Sequence, residues 1–298
     1  LSKLVASKRD FELALPKGYL SVSQINKYLG CGRRYEYEYV LSRPYRSGSG
    51  LVLGRTVHKI AEHTLRKYIA DQFTVPSADF VGDTISTLMK EYLRQVDVWE
   101  NTYEDAPNPQ KMFEEETRIL SELFRLARVP ELHPRTVEYK IESKLADWIP
   151  FVGFADIIDR DLELEKDANL VSSSPEPQWT DTARDIKVTG KKYGENRLRG
   201  SLQLSLYAGE IGTQFVGYDL IVRKGTGKKS VPRMIPQPAE EPGYKLMRTE
   251  EEIVWAQEIA LDVAEGISAG YFPRCDPEAW VCCEKWCDHY SECRGKKS

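Results

Sequence analysis

Between Glu131 and Asp159 the spacing of apolar residues drops from a helical period to two, and this switch constrains the architecture more than any other feature. Val137, Tyr139 and Ile141 alternate with Glu138, Lys140 and Glu142, and Phe151 to Ile158 then reads as a buried strand. Helical patterns precede it. Leu20–Leu29 reads as a helix capped by Ser21 or Ser23, and a glycine-containing loop around Ser47–Gly54 leads into a helix with Val57, Ile60, Ala61, Thr64, Leu65 and Tyr68 on one face. Two more helices place Ile85, Leu88, Met89, Tyr92 and Val96, then Met112, Phe113, Leu120, Leu123, Phe124 and Ala127, on their apolar faces. After the switch come a polar connection (Asp161–Gln178), a strand (Trp179–Val188), a helix (Arg197–Gly212), a hairpin (Phe215–Arg223 with Ser230–Ile235) and a helix bearing Ile253, Ala256, Ala260, Val263 and Ile267. This order predicts an α/β or α+β sheet covered by helices.

With 298 residues the chain can bury a sizeable core. No apolar run reaches 18 residues, so no membrane contact is expected, and the cytoplasm is the expected compartment. The formal charge is −4, so any nucleic-acid contact must come from local basic patches. Arg33-Arg34, Lys187 with Lys191-Lys192 and Arg197-Arg199, and Arg223-Lys224 with Lys228-Lys229 are candidates.

The chemistry concentrates in two places. In Asp185-Ile186-Lys187, residues two apart on a strand share a face, so a carboxylate and an ammonium stand over one point. Asp185 can hold a divalent metal while Lys187 orients or deprotonates a water and contacts phosphate. Gly153-Phe154-Ala155-Asp156 supplies a second carboxylate upstream. Asp159 is a rival to Asp156 but should point to the opposite face, and Glu142 is an exposed strand glutamate or an extra ligand. Gln203 and Tyr207 share a helical face, and His58 follows Gly54 beside an apolar stripe.

The second place is the cysteine-rich end. Four of the six cysteines fall between Cys282 and Cys293, which suits metal ligation in a reducing compartment better than a disulfide framework. Cys287, Cys293 and either Cys282 or Cys283 can supply three ligands, with a fourth from elsewhere. Cys275 reads as a plain core or surface thiol, and His289 as a surface histidine.

Taken in order, Gly54/His58, Gly153/Asp156, Asp185/Lys187 and Gln203/Tyr207 resemble the G-x-x-x-H, G-x-x-D, D-x-K and Q-x-x-x-Y motifs of RecB-like nucleases in the PD-(D/E)XK superfamily. The resemblance runs from Ser21 to Cys293. It implies a restriction-endonuclease-like α/β core, a central mixed sheet flanked by helices, in a single nuclease domain spanning 1–298 with a helical part at about 55–130 ahead of the catalytic sheet. It implies Mg2+ or Mn2+ on His58, Asp156 and Asp185, Lys187 as the catalytic lysine, and Gln203 and Tyr207 touching the nucleic acid or orienting the lysine. The wide gap from Asp156 to Asp185 makes the Ser172–Ser174 loop an insertion.

AddB-type and CRISPR-associated members place one cysteine before these motifs and three after them, around a [4Fe–4S] cluster. Here the set would be Cys31, Cys282, Cys287 and Cys293, so that 282–293 closes on Cys31, with structural Zn2+ as the alternative. The interval before Cys287 is wider than in that family, and Cys282 is preferred over Cys283. The implied activity is a DNA exonuclease on single-stranded ends, bacterial or phage-encoded, in recombination, repair or phage or CRISPR processing, with a helicase or recombination protein as partner. A silent DNA-binding subunit and an iron–sulfur redox protein are the competing classes. The intact carboxylates and lysine disfavour the first, and nothing resembling a flavin or nucleotide site accompanies the cysteines for the second. No P-loop occurs, so the chain carries no ATP-driven motor of its own.

Overall fold

The computed structural model describes residues 12–45, 49–92, 109–146, 148–162, 179–223 and 231–295. Helix α1 (Val22–Gly30) is capped by Ser21, whose hydroxyl accepts from the Gln24 amide, and a short α2 (Gly32–Tyr35) runs into a π-helical turn at Glu36–Val40. Helices α3 (Ser49–Ala70), α4 (Ala78–Tyr92) and α5 (Pro109–Ala127) precede the sheet. Strands β1 (Pro134–Leu145), β2 (Ile149–Leu162) and β3 (Trp179–Thr189) follow. Next come α6 (Glu195–Arg199), α7 (Leu202–Ile211), β4 (Phe215–Val222), β5 (Arg233–Gln237), β6 (Leu246–Met247), α8 (Glu250–Ser268) and α9 (Tyr290–Arg294).

The strands form one mixed sheet in the order β1-β2-β3-β4-β5, with β6 also paired to β4. Among the named strands only β3 and β4 run parallel, and α6 and α7 lie in the crossover between them. Helices α1, α7 and α8 bury Ile25, Leu204, Ala208, Ala260 and Ala264 with Leu145, Phe151, Ala183 and Leu220 on one face. Helices α3, α4 and α5 bury Ile60, Leu65, Ile85 and Phe124 with Val137, Ile157, Ile186 and Ile221 on the other. The fold is therefore α/β, a central mixed sheet flanked by helices, as the order of patterns predicts.

Local differences have physical causes. Gly54 lies inside α3, not in a loop, because burying Val52 and Leu53 outweighs the cost of about 1 kcal/mol for a helical glycine. The single helix expected at Arg197–Gly212 breaks at Gly200, and Ser201 caps α7 anew by accepting from the Leu204 amide. Tyr139 is exposed because Glu138 adopts φ 54°. That left-handed residue inverts the side-chain alternation, so Val137 and Ile141 pack on opposite faces of the sheet. Met112 is likewise exposed on α5. Val96, the Ser172–Ser174 loop, Lys224, Lys228, Lys229 and the hairpin turn at 225–227 lie outside the described residues.

Candidate active site and cysteine cluster

The site forms where β2 and β3 part. Their ladder runs from Leu162 opposite Trp179 to Ile157 opposite Arg184 and stops there. Beyond it, β2 pairs instead with the segment before α1: the Leu20 amide donates to Pro150 O at 2.8 Å, and the Val152 amide to Leu20 O at 2.9 Å. Asp156 sits at the split. Its Oδ2 accepts from the Ile186 amide at 2.6 Å and lies 2.8 Å from His58 Nε2.

Asp185 and Lys187 share a strand face, as their spacing predicts, with Nζ 2.7 Å from Asp185 Oδ2. Gln203 Nε2 donates to Asp185 Oδ1 at 2.5 Å. The Tyr207 hydroxyl accepts from the Phe154 amide at 3.3 Å. Gln203 and Tyr207 thus brace the carboxylate and the β2 backbone, rather than the lysine. Gly153 makes this possible, because a Cβ there would stand 2.8 Å from the Tyr207 ring. Gly54, the other motif glycine, would point a Cβ into open space one turn before His58.

The sequence reading missed Glu138. It lies across β1 from Asp156, since Val137 and Tyr139 pair with Ile157 and Ala155. Its Oε1 lies 3.4 Å from His58 Nδ1. The signal was available: a tight turn joining Leu145 to Ile149 puts Glu138 opposite Asp156 by counting back along the hairpin. Its left-handed φ stores strain at a position that could bind a ligand. Glu142, by contrast, is exposed and paired with Lys140. Asp159 is withdrawn from the site by Arg184 Nε at 2.9 Å and the His133 amide at 2.7 Å.

Electrostatics mark this as a place built for a cation. Burial pushes the Asp185 carboxyl up to about 7, against the pull of Lys187, and Asp156 adds repulsion. Burial also raises Glu138. Burial opposes protonation of His58, yet its hydrogen bond to Asp156 and the surrounding carboxylates lift it to about 9. Burial works against Lys187 too, but the charges of Asp185 and Asp156 hold it above the usual lysine range. Ligand atoms of His58, Glu138 and Asp156 all lie within 4.8 Å of one another. Glu138 Oε1 and Asp185 Oδ2 are both buried. The Lys187 ammonium, 2.7 Å from Asp185 Oδ2, donates to that oxygen, so of the two only Glu138 Oε1 lacks a donor. Hard oxygen donors with open lone pairs are what Mg2+ or Mn2+ requires.

Beside this cluster opens a cleft of about 830 Å3. Lys187, Gln203, Tyr207 and Gly153 line it together with Ser21, Ser23 and Asn26 of the α1 start and Tyr193, Arg197 and Gly200 near α6. Of the expected basic patches, Lys187 and Arg197 reach it. Arg33 and Arg34 are paired with Glu36 and Glu38, Arg199 with Glu195 and Arg223 with Glu116.

The cysteines converge on a second cavity, far along the chain from these carboxylates. Cys31, Cys282, Cys287 and Cys293 line it, and so does Cys275. Cys275 is therefore not a plain thiol. Burial, and then hydrogen bonds with Cys31 and Cys282, push it up to about 12. Cys283 instead turns its sulfur to Trp280 O. Arg294 donates to Cys282 Sγ at 3.2 Å. His289 is buried against Tyr37, not on the surface. Among the described residues no three cysteine sulfurs lie within 4.8 Å of one another.

A family model described as PD-(D/E)XK nuclease superfamily matches residues 19–294. No curated protein matches the chain. Among solved structures, one described as "Crystal structure of SSO0001" is 13% identical, over 99% of this chain and 91% of that one, with a TM-score of 0.37.

Proposed function

Because the chain belongs to the PD-(D/E)XK nuclease superfamily, we propose that it hydrolyses DNA phosphodiester bonds at the Asp156–Asp185–Lys187 site with Mg2+ or Mn2+. The observation that carries this reading is that Asp185 and Asp156 both act on Lys187 while Asp156 is joined through His58 to Glu138, all beside an open cleft. Asp156, Asp185 and Glu138 would hold the metal, with His58 as a further ligand or as the group that bridges Asp156 and Glu138. A bound divalent ion would neutralise phosphate charge and lower the pKa of the attacking water. Lys187 keeps its proton in the metal-free site, which favours an orienting and charge-stabilising role over that of a base. Gln203 fixes the rotamer of Asp185, and Tyr207 fixes the β2 backbone two residues before Asp156.

The finer reading, from the RecB-like resemblance, is an exonuclease on single-stranded ends in DNA recombination, repair or phage or CRISPR processing, working with a helicase or recombination protein. Residues 1–298 are taken as one nuclease domain in the cytoplasm of a bacterium or in a phage-infected cell. Among the described residues no helix is long and apolar enough to cross a membrane. The cysteine cavity is assigned to a structural [4Fe–4S] cluster on Cys31, Cys282, Cys287 and Cys293, with Cys275 beside them.

Incubation of the protein with single- and double-stranded DNA labelled at one end tests the assignment. With Mg2+ or Mn2+ the single strand should shorten from an end, and chelator should stop it. Internal cuts would replace the exonuclease by an endonuclease. No metal-dependent product from either substrate would overturn the nuclease reading.

A further inference from the structure

The cleft beside the carboxylates has more than charge to offer a nucleic acid. Among the described residues its lining carries two cations, Lys187 and Arg197, and no carboxylate. Around them Tyr19, Phe154 and Tyr193 stand among serines, Asn26 and Gln203, with Val22, Val152 and Leu202 as the aliphatic part of the wall. Gly153 and Ala155 face the core, so strand alternation turns Phe154 away from it, and the ring is 47% exposed. The backbone beneath it is fixed by the hydrogen bond that its amide donates to the Tyr207 hydroxyl. Across the cleft the Arg197 guanidinium lies 3.8 Å from the centroid of the Tyr193 ring. The Tyr193 ring is itself buried and braced edge-on by Tyr218 at 5.5 Å. Arg197 therefore presents a flat, held, cationic surface.

A phosphate track needs cations alone, since every nucleotide carries the same charge. Flat apolar and guanidinium surfaces in the same track match the faces of bases, which are free only when the strand is unpaired and unstacked. We propose that Phe154 and the Arg197–Tyr193 pair are nucleobase-stacking platforms, so that the cleft takes an unpaired strand and grips its bases next to the bond to be cut. The proposal rests on the nuclease reading and specifies how that site chooses its substrate. Phe154 lies two residues from Asp156, so the base it holds belongs to a nucleotide beside the reacting phosphate.

The test is binding without cleavage, in EDTA, by fluorescence anisotropy of end-labelled oligothymidylate, an abasic deoxyribose-phosphate oligomer of equal length and a blunt duplex. The wild-type protein should bind oligothymidylate at least tenfold more tightly than the abasic chain or the duplex. Phe154→Ala should lose roughly fivefold to a hundredfold on oligothymidylate, with the abasic affinity and the salt dependence unchanged. Phe154→Tyr should keep the preference. Arg197→Ala should weaken both single strands and reduce the salt slope by about 0.7. Equal wild-type affinity for oligothymidylate and the abasic chain, or an equal loss on both in Phe154→Ala, would overturn the stacking role. If metal-dependent cleavage persists in that case, the nuclease reading stands and only this inference fails. If wild-type protein neither binds nor cuts any of the three, both fail.

Discussion

Gly153→Ala adds one methyl group at the point where β2 meets α7. The new Cβ would stand 2.8 Å from Tyr207 Cε1, closer than real side-chain contacts allow, and 3.3 Å from Phe151 Cε1, a tight contact. Neither ring can yield easily. Tyr207 is 5% exposed and held by the Phe154 amide, and Phe151 is 1% exposed in the core. Overpacking of this kind costs about 1–3 kcal/mol. Replacing glycine in a strand returns about 0.5–1 kcal/mol through the unfolded chain, so the net loss should be about 1–2 kcal/mol in equilibrium urea unfolding. Activity should fall further than stability, because a displaced Tyr207 ring drags at Gln203, one turn earlier on α7, and so at Asp185. The decisive comparison repeats the substitution in a Tyr207→Leu background. With the ring gone the added methyl should cost less than about 0.5 kcal/mol, a coupling of at least about 0.5 kcal/mol. An unchanged cost in that background would refute the contact with Tyr207 as the reason for a glycine at this position.

Other consequences are equally direct. Metal-free protein holds a proton on Asp185 below about pH 7, and the bound cation needs the carboxylate, so Mn2+ affinity should rise between pH 6 and 8 with proton release visible by calorimetry in two buffers. A flat pH profile would contradict it. If the ion also takes a His58 nitrogen, an extra proton should leave at pH 8, because His58 sits at about 9 without metal. Removing Arg184 takes its ion-pair partner from Asp159, buried at 1% exposure, and leaves that carboxylate the His133 amide, so Arg184→Ala should cost about 3 kcal/mol in urea unfolding, and a loss below 1 kcal/mol would exclude the pair as a structural tie. Protein prepared without oxygen should be brown with about four irons. Cys31→Ala, Cys287→Ala and Cys293→Ala should each lower iron content and Tm, Cys275→Ala should also disturb the site, and Cys283→Ala should not. One tightly held zinc in place of iron would contradict the cluster.

Much of the site was legible because its parts obey local rules. The two-residue spacing of Asp185 and Lys187 fixes a shared face on any strand, and the four-residue spacing of Gln203 and Tyr207 does the same on a helix. Glu138 was hidden because alternation in β1 marks it as an outward polar residue. Only the hairpin register, together with a left-handed φ that no composition signals, turns it toward His58. Cys275 was hidden for a related reason: it lies seven positions before Cys282, outside the dense run, and the chain between them folds back. Gly54 misled in the other direction, since a glycine near Ser47 and Gly50 reads as loop although buried neighbours carry the helix through it. The buried arginines Arg128, Arg184 and Arg248 also have no sequence signature, because each is paid for by a carboxylate or carbonyl distant in the chain.

The central claim is that Asp185 and Lys187 serve one hydrolytic site, and single-turnover cleavage of end-labelled single-stranded DNA in saturating Mn2+ tests it most directly. Asp185→Asn keeps the shape of the side chain and the contact from Gln203 while removing the charge. Asp185→Asn and Lys187→Ala should each fall at least about a hundredfold below wild type with urea unfolding preserved to within about 1 kcal/mol. Wild-type rates in either folded variant would contradict the account.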